Sequence, residues 1–157
     1  MTYRLAMKTI FTSAAITFLA IIFYSCKSSM STGLSRVVEV SIPGLLKGDF
    51  IDDYGVQYRI DDSVWVQFPQ TRYHILMADT VAQYLIARND KGNPDDQELY
   101  TRIDYMMFDN MRPFLWGFCL TEYKAKSMEE AINKAAADRQ NPREGCNGFP
   151  FSRMKKR

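Results

Sequence analysis

Residues 56–78 read VQYRIDDSVWVQFPQTRYHILMA. Apolar side chains occupy alternate positions in 56–60 and again in 73–77, and two polar stretches, Asp61-Asp62-Ser63 and Pro69-Gln70-Thr71, interrupt the pattern. A period of two residues is typical of a half-buried antiparallel strand, while Asp, Ser and Pro favour the turns between strands. This stretch therefore predicts short strands joined by tight turns.

The same pattern continues on both sides and predicts about eight short strands. They are 37–42, 47–52, 56–60, 64–68, 72–78, 81–88, 99–108 and 114–123. Short connections favour a meander, and a meander of this size has to close or bend to protect its edges. We therefore expect a mainly β fold, either a small antiparallel barrel or a strongly curved sheet.

The hydrophobic period changes after Lys126. Ser127 and Glu130 have the spacing of the N-cap and N3 residues of a capping box, and Asn141-Pro142 stops further helical growth. We expect one C-terminal α-helix over 127–139, followed by a tail.

The N-terminal segment has a different composition. Arg4 and Lys8 precede an uncharged run over 10–24 (IFTSAAITFLAIIFY), and Ser25-Cys26 follows. The run is shorter than the roughly 20 apolar residues that span a bilayer. It resembles the signal peptide of a bacterial lipoprotein, which implies cleavage before Cys26 and lipidation of that residue. A conventionally cleaved secreted protein and an uncleaved anchor are the alternatives.

The resemblance implies an exported protein that a lipid anchors to a membrane of the bacterial cell envelope, facing the periplasm or the cell exterior. The expected organisation is a signal peptide in 1–25, a flexible tether in 26–35 and a single β domain in 36–157. Arg4 and Lys8 account for the whole formal charge of +2. The remaining chain is neutral, which argues against nucleic acid as a partner, because its binding needs a basic surplus.

Two cysteines, Cys119 and Cys146, remain when Cys26 is assigned to the lipid. In an oxidising compartment, an even pair favours a disulfide bond that pins the tail to the last predicted strand. Two buried free thiols and a redox or metal pair are the alternatives. A metal site lacks partners, because the chain has one histidine and no closely spaced pair of cysteines.

The C-terminal part also resembles a group of exported bacterial proteins to which no activity is assigned. The segments that carry the resemblance are 116–119 (WGFC), 123–125 (YKA), 129–131 (EEA), 137–142 (ADRQNP) and 145–152 (GCNGFPFS). Those proteins look like small β domains that end in an Ala-Asp, Pro, Gly-Cys-x-Gly-Phe-x-Trp-Ser/Thr block. Phe151 stands where Trp is usual, and Phe118 where Tyr is usual. The resemblance covers 99–154, supports the pairing of Cys119 with Cys146, and implies no activity.

The sequence offers few side chains in settings typical of catalysis. His74 is the only histidine, so any histidine-assisted nucleophile would have to use it. The Gly-x-Ser-x-Gly elbow, the phosphate loop and paired-His metal motifs are missing from the sequence. We expect a structural histidine, no cofactor and no metal, and keep a hydrolase built on His74 with a carboxylate such as Asp104 as a third hypothesis.

Alternation in 99–108 places Tyr100, Arg102 and Asp104 on one face of a strand. If that face pointed into a barrel, the charge pair would be buried and costly unless matched; if it pointed outward, the pair would contribute little. We expect it to point outward or to be partly buried. The basic residues of 153–157 contact anionic lipid in one interpretation and form a frayed, solubilising end in the other.

Two main hypotheses for function follow. The first is a lipid-anchored, non-enzymatic binding or interaction module that acts through an envelope protein or a glycan. Its candidate contact residues are Trp65, Tyr84, Arg102, Asp104 and Trp116. The alternative is a carrier of the calycin type that holds a small apolar ligand inside the barrel. A filled interior would leave that carrier without a site.

Overall fold

The structure is a computed structural model that describes residues 40–157. The strands are β1 (Gly48–Asp52), β2 (Gln57–Ile60), β3 (Val64–Gln67), β4 (Thr71–Asp79), β5 (Tyr84–Asn89), β6 (Tyr100–Met107), β7 (Trp116–Ala125) and β8 (Ser152–Lys156). Each strand pairs antiparallel with its neighbours in sequence, and β8 also pairs with β1, which closes the barrel. A 3-10 turn (Gly44–Leu46) precedes β1, and the helix α1 (Met128–Ile132) follows β7. The predicted mainly β meander is confirmed as a closed barrel.

The barrel interior is packed with side chains from alternate strand positions. Its buried apolar residues include Phe50, Tyr58, Ile60, Trp65, Tyr73, Ile75, Leu85, Ala87, Ile103, Tyr105, Trp116, Phe118 and Met154. The ring of Trp65 lies 5.7 Å from that of Trp116 and 5.0 Å from that of Phe118, both edge-on. Such contacts add to the energy of apolar burial. Aromatic rings therefore occupy the space between the strand walls.

The strand predictions differ from the structure at both ends of the domain. Residues 40–42 of the first predicted strand are irregular, and its residues 37–39 lie outside the described part of the chain. The basic segment 153–157 is not a frayed end, because residues 152–156 form β8; its predicted contact with lipid stays a prediction. Met154 is its buried apolar residue and lies opposite Asp52 of β1 and Trp116 of β7. One apolar position is too few to show a two-residue period, so the closing strand escaped the sequence pattern.

The helix predicted over 127–139 is shorter in the structure. Ser127 is its N-cap, as expected, and its side chain accepts a hydrogen bond from the backbone amide of Glu130. However, α1 ends at Ile132, whose carbonyl accepts a 2.7 Å hydrogen bond from Nη1 of Arg102. That carbonyl would have been needed to extend the helix. Contacts with the barrel wall thus override the helix propensity of the alanines that follow.

Helix α1 covers the outer wall of the barrel. Ala131 is buried against Tyr84 and Ile86 of β5 and Ala125 of β7. Within residues 40–157, no helix is long and apolar enough to cross a membrane. The predicted signal peptide, the tether and the lipidation site at Cys26 lie outside the described residues and stay predictions.

Candidate functional site

The two ends of the barrel are built differently. One end, here called the closed end, is capped by Ile42 and Leu46, whose side chains join the interior core. The backbone amide of Ile42 donates a 2.8 Å hydrogen bond to Asp62 in the β2–β3 turn, which fixes this cap. The other end, here called the mouth, carries the β1–β2, β3–β4 and β5–β6 connections and the start of β8. The candidate site lies at the mouth.

Two adjoining cavities open at the mouth. The larger has a volume of about 570 Å³ and the smaller about 270 Å³, and Leu120 and Tyr123 line both. The larger is also lined by Asp52, Tyr54, Tyr58, Gln67, Phe118, Cys146, Asn147 and Phe149, among others. Their volumes together fall within the range of small-molecule sites. Among the described residues that line either cavity there is no lysine or arginine.

Exposed aromatic rings gather at the mouth. The exposed fractions are 68% for Tyr54, 40% for Phe68, 45% for Tyr123 and 70% for Phe149. These four include every aromatic side chain among the exposed large apolar residues of the described chain. A cluster of exposed aromatic side chains on one rim indicates a binding surface more strongly than single apolar residues scattered over the protein do.

The carboxylate of Asp52 organises one wall of the larger cavity. It is buried, and it accepts hydrogen bonds from the backbone amides of Tyr54 (2.9 Å) and Val56 (2.8 Å) and from the hydroxyl of Tyr58 (2.9 Å). Burial, together with this carboxylate, raises the pKa of Tyr58. The turn that presents Tyr54 is therefore fixed by its own side-chain contacts before any ligand arrives.

The smaller cavity has a phenol on its wall. Burial, and then the nearby Asp96, raises the pKa of Tyr73 to about 12. Its hydroxyl thus stays protonated at neutral pH and remains able to donate a hydrogen bond.

The long β5–β6 loop at the mouth is anchored by asparagines. The side-chain amide of Asn89 donates to the carbonyls of Asp96 (2.8 Å) and Tyr123 (3.1 Å). Asn93 pairs in both directions with the backbone of Arg72, at 2.8 and 2.9 Å. These bonds satisfy buried polar groups and hold the rim in one shape.

The disulfide Cys119–Cys146, present as predicted, positions the remaining aromatic residue of the rim. Cys146 and Phe149 exchange backbone hydrogen bonds of 2.8 and 2.9 Å in a tight turn that the bridge fastens to β7. A Cβ atom on Gly145 would clash with the carbonyl oxygens of Asp138 and Asn141. The segment around the bridge therefore forms a rigid support for Phe149.

The aromatic residues proposed from the sequence lie elsewhere. Trp65 and Trp116 are buried in the barrel core, and Tyr84 is buried on the outer wall beneath α1. None of the three presents its ring at the mouth. Because all three side chains are buried, they contribute to the stability of the fold and not to a binding surface.

Arg102 and Asp104 lie on the outer face of the barrel, as expected, but they are buried there by the segment that follows α1. The carboxylate of Asp104 accepts bonds from Nε and Nη2 of Arg102, at 2.9 and 3.2 Å, and from Nη2 of Arg139 at 3.0 Å. Thr121 donates a further hydrogen bond to it. The guanidinium of Arg102 also stacks on Tyr84, 3.9 Å from the ring centroid. This network attaches the segment to the barrel wall.

His74 lies on the outer face of β4, half exposed, with its Nε2 2.6 Å from a carboxylate oxygen of Asp90. That contact holds the pKa of Asp90 below its ordinary value. The structure does not bring His74 and Asp104 together, because Asp104 is held by two arginines beneath the segment after α1. In residues 40–157, no group of three or more His, Cys, Asp or Glu residues is placed to hold a metal ion.

The exposed aromatic residues of the mouth were not predicted from the sequence. Three of the four sit beside a turn-forming residue, in Tyr54-Gly55, Phe68-Pro69 and Phe149-Pro150. An aromatic residue at a turn has no strand wall to pack against, and this signal would have pointed to the mouth. No protein-family model, curated protein or solved structure was found to match this chain.

Proposed function

We propose that this protein is a lipid-anchored, non-enzymatic binding module of the bacterial cell envelope whose ligand site is the mouth of the barrel. The lipid anchor is supported by the signal-like segment that ends at Ser25-Cys26. The location of the site is supported by one observation above the others. Three of the four exposed aromatic residues of the described domain, Tyr54, Tyr123 and Phe149, line the larger cavity at one end of an otherwise packed barrel.

The lining of the mouth favours an uncharged ligand. Lysine and arginine are missing from the described residues that line both cavities, and the basic group beside Tyr123, Nζ of Lys124, lies 5.3 Å from its ring centroid, so the lining itself favours an uncharged ligand over an anionic one. Three carboxylates among the described residues line the two cavities. Asp52 is already saturated by three donors and Asp96 lies 3.9 Å from Nζ of Lys124, so Asp95, exposed at the smaller cavity, is the one of the three left to attract a cation.

An uncharged saccharide chain fits the remaining chemistry best. Its C–H faces pack on aromatic rings such as Tyr123 and Phe149, which both line the larger cavity. Its hydroxyls pair with side-chain amides and hydroxyls, which Gln67, Asn147 and Tyr73 supply. We therefore favour a neutral glycan of the envelope as the ligand.

A small apolar ligand is the second candidate, because more of the larger cavity is lined by apolar side chains than by polar ones. Such a carrier would hold its ligand at the mouth, since Trp65, Trp116 and Phe118 fill the barrel between its walls. It would thus differ from a carrier that encloses its ligand within the barrel.

The test is calorimetric titration of the protein, purified from membranes, with uncharged oligosaccharides of glucose and N-acetylglucosamine. We expect binding by the wild type and a loss of affinity of at least about tenfold in Tyr123→Ala and in Phe149→Ala. The matched control is Leu76→Ala, which removes a 40% exposed apolar side chain from the outer face of β4 and leaves the mouth intact.

Two results would contradict the proposal of a glycan. One is the absence of binding to every saccharide of the panel. The other is a stoichiometric apolar molecule in the organic extract of the native protein, detected by mass spectrometry, which would favour the carrier. Mass spectrometry of the N-terminal peptide tests the anchor separately, because a lipidated Cys26 carries the mass of its acyl chains.

A further inference from the structure

We propose that the closed end of the barrel rests on an anionic lipid bilayer, through a surface here called the bilayer face. The bilayer face comprises Leu45, Met111, Arg112, Lys155 and Arg157. The inference goes beyond the ligand site at the mouth. This inference depends on the proposed function in one respect, the lipid on Cys26 that brings the domain to the membrane.

The apolar part of this face comprises Leu45 at the closed end and Met111, which also lines a cavity of about 450 Å³ on the side of the barrel with Tyr54 and Pro150. Leu45, in the 3-10 turn, is 44% exposed, and Met111, in the β6–β7 loop, is 39% exposed. Both line a shallow depression of about 770 Å³ together with Arg112 and Phe114. Apolar side chains next to a basic one are typical of surfaces that enter the interface between lipid headgroups and acyl chains.

The basic part of the face is supplied by the closing strand. Lys155 points outward from β8, with its Nζ 5.7 Å from the ring centroid of Phe114, and Arg157 follows with its amide bonded to the carbonyl of Asp49 at 3.1 Å. Pairing with β1 thus holds both residues in place instead of leaving them on a frayed end. Among residues 40–157, neither they nor Arg112 has a carboxylate within salt-bridge distance.

Negative charge near the face is limited. Asp109 is the acidic residue of the depression. Asp49 is paired with Arg59 at 2.8 Å, and Asp62 is paired with Lys47. The bilayer face therefore keeps a positive surplus, and each basic residue near an anionic leaflet raises partitioning by about fivefold.

The path of the chain agrees with this orientation. The described domain begins at Val40, and Ile42 is already fixed to the closed end by its bond to Asp62. The stretch from Cys26 to Val40 spans at most about 50 Å when extended. A lipid on Cys26 would therefore keep the domain within about 50 Å of the membrane and attach it at the closed end, which agrees with the bilayer face but does not by itself set the orientation.

The experiment is hydrogen–deuterium exchange of the membrane-purified protein on two kinds of vesicle. One is phosphatidylcholine alone, and the other contains about 30 mol % phosphatidylglycerol, a share that gives a strongly negative surface. We expect the backbone amides of 108–112 to exchange several-fold more slowly on the anionic vesicles, and those of the β5–β6 loop, 90–97, at the mouth to exchange equally on both. In 1 M NaCl, where the Debye length is about 3 Å, the difference should disappear.

A charge reversal adds a second measurement. Lys155→Glu combined with Arg157→Glu should abolish the slowing at 108–112, whereas the control pair Lys91→Glu and Lys126→Glu, both on exposed residues away from the closed end, should keep it. Equal exchange of 108–112 on both vesicles, or slowing at 90–97 instead, would overturn the proposal. The salt series on the wild type decides the question even if a variant fails to fold. If mass spectrometry finds no acyl chains on the N-terminal peptide, the proposed lipid anchor is wrong. The comparison of exchange on the two kinds of vesicle would still test whether the bilayer face binds anionic lipid.

Discussion

The buried carboxylate of Asp104 offers the sharpest test of how the barrel wall is held together. Its oxygens bind Arg102 in a bidentate pair, Arg139 at 3.0 Å, and the hydroxyl of Thr121. Asp104→Asn keeps the size of the side chain but removes its charge. It leaves two guanidinium groups without a counter-charge, one of them almost fully buried.

The expected loss of stability is large. Removing one partner of a buried ion pair costs about 3 to 5 kcal/mol, because the remaining charge stays out of water. That is a substantial part of the 5–15 kcal/mol typical of a domain, and it corresponds to a fall in melting temperature of about 10 to 20 °C. The matched control is Asp49→Asn, because Asp49 pairs with Arg59 at the surface and such pairs contribute about 0 to 1 kcal/mol.

Urea unfolding followed by tryptophan fluorescence measures both variants, since Trp65 and Trp116 are buried in the core and report its exposure directly. We expect the midpoint of Asp104→Asn to fall well below that of the control with an unchanged slope. A free energy of unfolding for Asp104→Asn within about 1 kcal/mol of the control would refute the reasoning, because the buried network would then contribute no more than a surface pair.

Three further predictions concern the mouth and the outer wall. Replacing both Cys119 and Cys146 by Ala opens a covalent loop with a sequence separation of 27. It should lower the free energy of unfolding by about 3 to 4 kcal/mol in urea unfolding. Gly145→Ala should destabilise by about 1 to 3 kcal/mol because its Cβ would overlap backbone carbonyls, while Gly44→Ala, which meets no atom within 4 Å, should be nearly neutral; equal melting temperatures would contradict this. Glu122 has a pKa below its ordinary 4.5, mainly because backbone and Lys side-chain donors bind its carboxylate, so its contribution is present above that pH and is lost as the pH falls through the lower pKa. Glu122→Gln should therefore reduce the loss of stability between neutral and acidic pH in thermal unfolding, and an unchanged pH profile would count against it.

The sequence was a good guide to the fold where one face of a strand is buried. In residues 56–60 and 73–77 the two-residue period identified strands because the buried face is apolar and the other face meets water. It failed for β8, whose outward residues are basic and whose only buried apolar residue is Met154. Pairing with β1 and β7 decides that strand, and such distant pairing leaves no local signal.

The candidate site was less predictable than the fold. Large aromatic residues were expected at a binding surface, but size alone does not separate a core ring such as Trp65 from a rim ring such as Phe149. That separation depends on barrel closure, which the sequence left open as a choice between a barrel and a bent sheet. The face that carries Arg102 and Asp104 was placed outward, but its cover by a segment some 30 residues later follows from tertiary contacts alone.

Closure by β8 also constrains how the chain acquires its structure. β1 and β8 meet across a sequence separation of about 100 residues, as in the bond from Arg153 to Asp53. During synthesis the first seven strands emerge with two unpaired edges, and neither edge can be satisfied until the eighth arrives. A ribosome-bound chain that has not yet reached Ser152 therefore exposes the unpaired N–H and C=O groups of β1 and β7, and such edges promote aggregation. The barrel can therefore close only once Ser152–Lys156 has been synthesised and is free to pair with β1.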